Sequence, residues 1–248
     1  MKAMVLAAGL GTRLRPLTDN RPKALVEVAG RTLLEITLTR LRSFGIQDVI
    51  INVHHFADMV VEYLRANDDF EMRIAISRED VLLDTGGGLK KAAPFFLGGG
   101  SQDEPFVLHN VDVFSTIDLH RMVEFHKKQQ ALATLAVQNR ETSRYLLFDT
   151  ELQLCGRRAG REGSPELLRD TGTFQAFAFS GIHIISPRLL NMLNETGAFS
   201  IIASYLRLAR TGQRICAFRA DEYHWRDLGK PENIPLAEQD LRRNSPSA

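Results

Sequence analysis

Leu6-Ala7-Ala8-Gly9-Leu10-Gly11-Thr12-Arg13-Leu14-Arg15-Pro16-Leu17, followed shortly by Pro22-Lys23, is the stretch on which the fold turns. The apolar run Met4-Val5-Leu6 predicts a short buried strand, so the two glycines fall where that strand stops and the main chain must turn. Small residues at Ala7, Ala8, Gly9 and Gly11 let the backbone approach a ligand closely. Thr12, Arg13, Arg15 and Lys23 add a hydroxyl and cationic groups, a combination that suits a polyanion such as a nucleotide phosphate. Two commoner glycine loops fail on spacing. A Walker loop needs Gly-Lys-Ser/Thr after four intervening residues, and this stretch has none. A dinucleotide loop needs a third glycine where this chain has Leu14, and Arg15-Pro16 does not open a close-packed helix. The bland alternative is a glycine turn with solvated arginines, and Pro22-Lys23 at a fixed short distance speaks against it.

The chain of 248 residues is long enough to bury a sizeable core, and its 44% apolar and 25% charged content is that of an ordinary globular protein. Lys and Arg number 31 against 30 acidic residues, which gives no case for a nucleic-acid or membrane-surface partner. Anion binding must therefore be local. Cys155 and Cys216, with no Cys-x-x-Cys, predict a reducing compartment and a packing role rather than nucleophiles. With no long apolar segment, the chain is expected to be cytoplasmic.

Beyond the loop, Thr32 is placed to cap a helix carrying Leu34, Leu38 and Leu41, ending near Phe44-Gly45. Asp48 to Val53 reads as a strand, Met59 to Leu64 as a helix and Met72 to Ile76 as a strand, the alternation of a parallel sheet covered by helices. Asp84-Thr85-Gly86-Gly87-Gly88 reads as a turn opening into a helix from Leu89 to Ala93, and residues 97–104 as a mobile surface loop. Pro105 to His109 and Ala131 to Val137 are expected strands around a helix marked by Leu119, Met122, Val123 and His126. From about residue 138 the pattern changes: a hairpin at 145–155, an exposed loop at 156–172, and one or two strands from Phe174 to Ile185 interrupted at Ser180-Gly181. A helix from Ser200 to Ala209, a strand from Arg214 to Phe218 and a terminal helix from Pro231 to Arg242 follow, with 244–248 expected to fray. Asp112 lies just past a predicted parallel strand, where open α/β sheets place ligands. Asn52 or His54, at the end of the second strand, is a candidate for the edge of a base. His54, His55 and His183 are not read as metal ligands, because adjacent histidines on a strand point different ways.

Residues 3–30, with L-A-A-G-L-G-T-R-L-R-P-L-T and R-P-K-A-L-V-E-V-A-G, resemble the N-terminal signature of the sugar-1-phosphate nucleotidyltransferases, the pyrophosphorylases that make NDP-sugars. The resemblance implies an α/β fold: a Rossmann-like mixed, mostly parallel sheet flanked by helices, with a small β-rich sugar-binding subregion in the C-terminal half. It implies a single nucleotidyltransferase domain over 1–243, made of a nucleotide-binding part (1–137), a sugar-binding part (138–230) and a terminal helix (231–243). It also implies the reaction, Mg²⁺-dependent transfer of a nucleotidyl group from an NTP to a sugar 1-phosphate with release of pyrophosphate.

By the same resemblance, Leu6, Ala7, Ala8, Gly9, Gly11, Thr12, Arg13 and Gly87 face the nucleotide, while Thr85, Gly88 and Gly181 face the sugar. Arg13 would stabilise the departing β and γ phosphates, and Lys23 would bridge the α-phosphate and the sugar phosphate. Asp112 and Asp227, the latter in His224-Trp225-Arg226-Asp227-Leu228-Gly229, would hold the Mg²⁺. Two departures from the family pattern stand out. Val111 precedes Asp112 where a glycine is usual, and no Glu-Lys-Pro is present, which speaks against the thymidylyl or uridylyl glucose branch; Thr85-Gly86-Gly87-Gly88 and the short C-terminus look more like the muramate, mannose or heptose 1-phosphate enzymes. A non-catalytic paralogue that binds nucleotide-sugar and an enzyme with a cytidylyl or molybdopterin-type acceptor are the alternatives. Homo-oligomer formation is left open.

Overall fold

The structure, a computed structural model, describes residues 1–98 and 104–244. Most of the expected loop at 97–104 and residues 245–248 of the expected frayed tail lie outside the described residues.

In chain order the first elements are β1 (Lys2–Leu6), β2 (Glu27–Val28), β3 (Arg31–Thr32), α1 (Leu33–Ser43), β4 (Asp48–Val53), α2 (Ala57–Ala66) and β5 (Arg73–Arg78). Next come α3 (Asp84–Lys91), α4 (Ala93–Leu97), β6 (Phe106–Asn110), β7 (Val113–Ser115), α5 (Leu119–Lys128) and β8 (Ala133–Gln138). The chain continues through β9 (Arg144–Phe148), β10 (Leu154–Ala159), β11 (Glu166–Leu167) and β12 (Gln175–Ile185). It ends with α6 (Ile201–Arg210), β13 (Ile215–Arg219), β14 (Trp225–Asp227) and α7 (Ile234–Asn244). The α/β class expected from the sequence is what forms. No helix among the described residues is long and apolar enough to cross a membrane.

The chain divides into two compact units. The first comprises Met1–Leu82, His109–Thr116 and the segment from His224 onward. Within it β1 lies parallel to β4, and β4 parallel to β5, with Leu6 opposite Asn52 and Asn52 opposite Ser77. Runs such as Val49-Ile50-Ile51 are apolar without alternation because a parallel sheet is covered on both faces. Helix α1 begins where the sequence places it: the Thr32 hydroxyl oxygen accepts from Glu35 N at 3.0 Å, and Leu34, Leu38 and Leu41 are fully buried. It ends at Gly45, whose φ of +73° lets its N–H reach Arg42 O while Ile46 N reaches Leu41 O.

A two-stranded antiparallel ribbon, β7 with β14, completes this unit, pairing Trp225 with Ser115 and Asp227 with Val113. Neither strand has a readable period, because each is only three residues long.

The second unit comprises Leu83–Leu108 and Ile117–Tyr223 and carries the expected β-rich region. Its long strand β12 runs antiparallel to both β8 and β9, β13 lies parallel to β8, and β9, β10 and β11 form successive hairpins. The interruption expected at Ser180-Gly181 is a bulge inside one strand: the β12 register shifts between Phe179 and His183, and Gly181 takes φ +75°. Part of the expected loop at 156–172 is strand, as the end of β10 and β11. Cys155 and Cys216 are free, buried thiols whose pKa burial raises, so they pack and do not attack.

One expectation is corrected here. Gly86, Gly87 and Gly88 do not form a turn ahead of a helix; they lie inside α3, which already starts at Asp84, and all three are buried. Pro94 sits in the first turn of α4, where its missing N–H costs nothing.

Candidate active site

The site is built wholly within the first unit, starting where β1 ends. Ala7 N donates to Asn52 Oδ1 at 2.8 Å, and Asn52 Nδ2 donates to Glu79 Oε1 at 2.8 Å. Asn52 and Glu79 are both buried, so the ends of three parallel strands are tied by one polar relay that fixes the entry to the glycine loop. Asn52 is thus spent on the backbone of Ala7, and His54 Nδ1 meets Glu79 O at 2.7 Å.

Gly11 has φ +65°, and its carbonyl accepts from both Leu14 N (2.8 Å) and Thr18 Oγ1 (2.9 Å). A Cβ at Gly11 would meet Thr18 Cγ2 and Lys23 Cβ, each at 3.0 Å, so the loop needs glycine both for its left-handed turn and for its close fold onto Lys23. The single turn Thr12–Leu14 buries Leu14 completely and turns Arg13 outward, its side chain 58% exposed. Pro22 opens a second short turn, with Leu25 N bonded to Pro22 O at 2.9 Å, and the buried Ala24 and Leu25 pin Lys23 in place.

Asp112 follows β6. Val111, standing where the related signature has glycine, is buried, donates its N–H to Leu6 O at 3.2 Å and accepts from Thr37 Oγ1 at 3.3 Å. It is not among the residues of positive φ, so nothing in the local backbone demands glycine there. Asp112 O accepts from Leu228 N at 2.7 Å, which ties the start of β7 to the end of β14 at one end of the ribbon.

These pieces bring the four expected charged groups together. Lys23 Nζ ion-pairs with Asp112 Oδ2, both side chains being mostly buried, and Arg13 Nη1 lies 3.5 Å from Asp227 Oδ2. Gly229 is the point on which they close. Its N–H donates to Asp227 Oδ1 at 2.8 Å. A Cβ built on it would lie 2.7 Å from Asp112 Oδ2 and 2.8 Å from both Arg13 Nη2 and Lys23 Nζ. The sequence placed Gly229 at the end of the element that carries Asp227 but gave it no role of its own.

The arrangement suits a divalent cation bound together with a polyphosphate. Two carboxylates face one glycine, and no third Asp, Glu, His or Cys joins them among the described residues. Hard cations such as Mg²⁺ take this kind of donor set, with phosphate and water oxygens supplying the rest. The two cations already resting on the carboxylates show that the pocket accepts positive charge, and the same cations can serve phosphate oxygens.

Thr85, Gly87, Gly88 and Gly181, expected to face the nucleotide or the sugar, lie in the second unit. Gly86 N and Gly87 N donate to Phe199 O at 2.8 and 3.3 Å, and Thr85 Oγ1 accepts from Ile201 N at 3.0 Å. A Cβ on Gly86 would lie 2.4 Å from two carbons of the Phe199 ring, and one on Gly87 would lie 2.6 Å from Gly197 O. Gly88 is buried in α3 and Gly181 in the bulge of β12. His183 is buried, with Nδ1 2.9 Å from Tyr205 Oη.

Comparison with known proteins identifies the family. Residues 2–244 match the nucleotidyl transferase family. The N-acetylmuramate alpha-1-phosphate uridylyltransferase of Caulobacter vibrioides is 35% identical over 248 residues, covering 96% of each chain. Mannose-1-phosphate guanylyltransferase 1 of Arabidopsis thaliana is 29% identical, covering all of this chain and 67% of its own. The crystal structure of HddC from Yersinia pseudotuberculosis complexed with GMP-PN superposes with a TM-score of 0.75 at 20% identity, covering 97% of this chain and 99% of that one, a likeness of fold.

Proposed function

The chain belongs to the nucleotidyl transferase family, and from that premise we propose that it transfers a nucleotidyl group from an NTP to a sugar 1-phosphate, releasing pyrophosphate. The observation that carries the proposal is the closure of Arg13, Lys23 and Asp112 on Gly229, whose N–H also orients Asp227. The relatives named as muramate uridylyl and mannose guanylyl enzymes support a sugar 1-phosphate as acceptor. The 35% relative makes UTP with N-acetylmuramate 1-phosphate the first pair to try.

The attacking oxygen of a sugar 1-phosphate is already anionic near neutral pH, so the chain needs no nucleophilic side chain and no strong general base. What it must do is neutralise charge and hold the reacting groups in line. Arg13, exposed at the rim, reaches the β and γ phosphates as they leave. Lys23, held by the Pro22 turn and mostly buried, serves the α-phosphate and the incoming phosphate. Asp112 and Asp227 hold Mg²⁺, which when bound adds charge neutralisation at the reacting phosphorus. Leu6 to Thr12 supply the close backbone wall for the nucleotide. Contacts to base and sugar from Thr85, Gly87, Gly88 and Gly181 carry no part of this reading.

A matrix of NTPs against sugar 1-phosphates with Mg²⁺ should show pyrophosphate release for one pairing, abolished by Lys23→Ala and by Asp112→Ala. Release that persists in both variants removes the proposal. Binding of a nucleotide-sugar without exchange of labelled pyrophosphate would favour the non-catalytic alternative.

A further inference from the structure

The ribbon that carries Asp227 is weak by itself. β7 and β14 have three residues each, and an isolated two-stranded ribbon of that length is marginal in water. It also brings Asp227 toward Asp112, and the cations resting on the two carboxylates, Arg13 and Lys23, come from outside the ribbon. Something outside the ribbon must hold it, and the C-terminal segment does so at two points. Asn233, just before α7, donates Nδ2 to Asp227 O at 2.7 Å. Asp240, on α7 and only 9% exposed, takes His224 Nε2 at 2.9 Å and Arg226 Nε at 2.5 Å on the same oxygen, Oδ2.

Alternation along the strand gives these contacts their meaning. Side chains on β14 point to opposite faces in turn, so His224 and Arg226 lie on one face while Trp225 and Asp227 lie on the other. Asp240 therefore grips the back of the strand whose front presents Asp227. Burial works to raise the Asp240 pKa, and the hydrogen bond from Arg226 leads the effects that more than offset it and hold the carboxyl below its ordinary value, so it stays ionised near neutral pH.

We propose that Asp240 is a positioning residue: by clamping His224 and Arg226 it fixes Asp227 opposite Asp112, which makes α7 part of the site. This rests on the reading of Asp112 and Asp227 as carboxylates for a divalent cation. Mn²⁺ binding to the full chain, followed by the electron spin resonance of the free ion, tests it without turnover. Asp240→Ala should weaken Mn²⁺ binding about tenfold, the scale usual for residues that orient metal ligands. Added to Asp227→Asn, it should cause no further loss.

Arg226→Met is the discriminating variant, because removing a cation should tighten Mn²⁺ by simple electrostatics, whereas loss of the clamp weakens it severalfold. Asp240→Asn, which keeps an oxygen for both donors, should retain most of the affinity and covers the case in which the alanine variant does not fold. Unchanged Mn²⁺ affinity in Asp240→Ala with only a lower unfolding midpoint, or tighter binding in Arg226→Met, overturns the proposal. If Asp112→Asn and Asp227→Asn both bind Mn²⁺ as the wild type does, the two-carboxylate reading falls and takes this one with it.

Discussion

Two glycine-bearing regions of this chain use the same residue for opposite ends. At Gly229 the missing side chain leaves room for charge: Asp112, Arg13 and Lys23 all reach within 3 Å of where a Cβ would stand. At Gly86 and Gly87 it leaves room for packing, and what fills the space is the Phe199 ring and the carbonyls of Phe199 and Gly197. The first region gathers polar groups that ordinary burial would keep apart; the second brings a helix against neighbouring backbone as tightly as sterics allow. A glycine in a sequence announces a close approach, and only the partner tells whether that approach serves chemistry or the fold.

The comparison breaks first at Gly229. Gly229→Ala should lower turnover about a hundredfold, about 2.7 kcal/mol of barrier, because displacing charged groups by the width of a methyl spoils their alignment. Steady-state kinetics beside urea unfolding should show the rate collapse with stability nearly unchanged. Gly86→Ala should do the reverse. Forcing a methyl into the Phe199 ring is overpacking and should cost about 2 kcal/mol of unfolding free energy, with Mn²⁺ affinity kept in the molecules that remain folded. Equal loss of rate and stability in both variants would dissolve the distinction.

Acid sharpens it from another side, since the second unit holds a histidine that must stay uncharged. His126 lies between Thr134 Oγ1 at 2.9 Å and Ser186 Oγ at 3.0 Å, and its pKa is pushed down to about 4 by burial, with Arg188 and Lys127 adding to the effect. Its folded pKa lies below the ordinary 6.5, so the unfolded chain binds the proton first. The contribution is full above pH 6.5 and is lost as pH falls toward about 4. Urea unfolding across that range should show the decline, shallower in His126→Gln. His109 in the first unit, also pushed down to about 4 by burial, contributes a decline that His126→Gln leaves in place.

The smallest effect belongs to Gly9. Nothing lies within 4 Å of a Cβ there and its φ is not positive, so Gly9→Ala should change stability by less than about 0.5 kcal/mol. A raised KM for the NTP in that variant would show that the open space at Gly9 faces the nucleotide.

The legible part of the fold was the part with local signals. The β1 to β5 alternation, the Thr32 cap and the Gly45 stop each follow from neighbours in sequence, and so does the turn at Gly11. The glycine run at 86–88 misled because glycine disfavours helix locally, while its contacts with residues 197–201 override that preference. The β7–β14 ribbon was invisible for a different reason. Three-residue strands show no periodicity, and each finds its partner about a hundred residues away. Asp112 was legible from its place past a strand, and Asp227 only from a resemblance; their meeting, the role of Gly229 between them and the grip of Asp240 behind them required the folded chain.

The central claim is that Arg13, Lys23, Asp112 and Asp227 act as one unit on a triphosphate and its metal. The most direct test is the rate of pyrophosphate release in Asp112→Asn, in Asp227→Asn and in the double variant. Groups that act together lose nearly everything at the first removal, so each single variant should fall at least a hundredfold and the double variant scarcely further. Losses that multiply independently, or a single variant that keeps the wild-type rate, would contradict it.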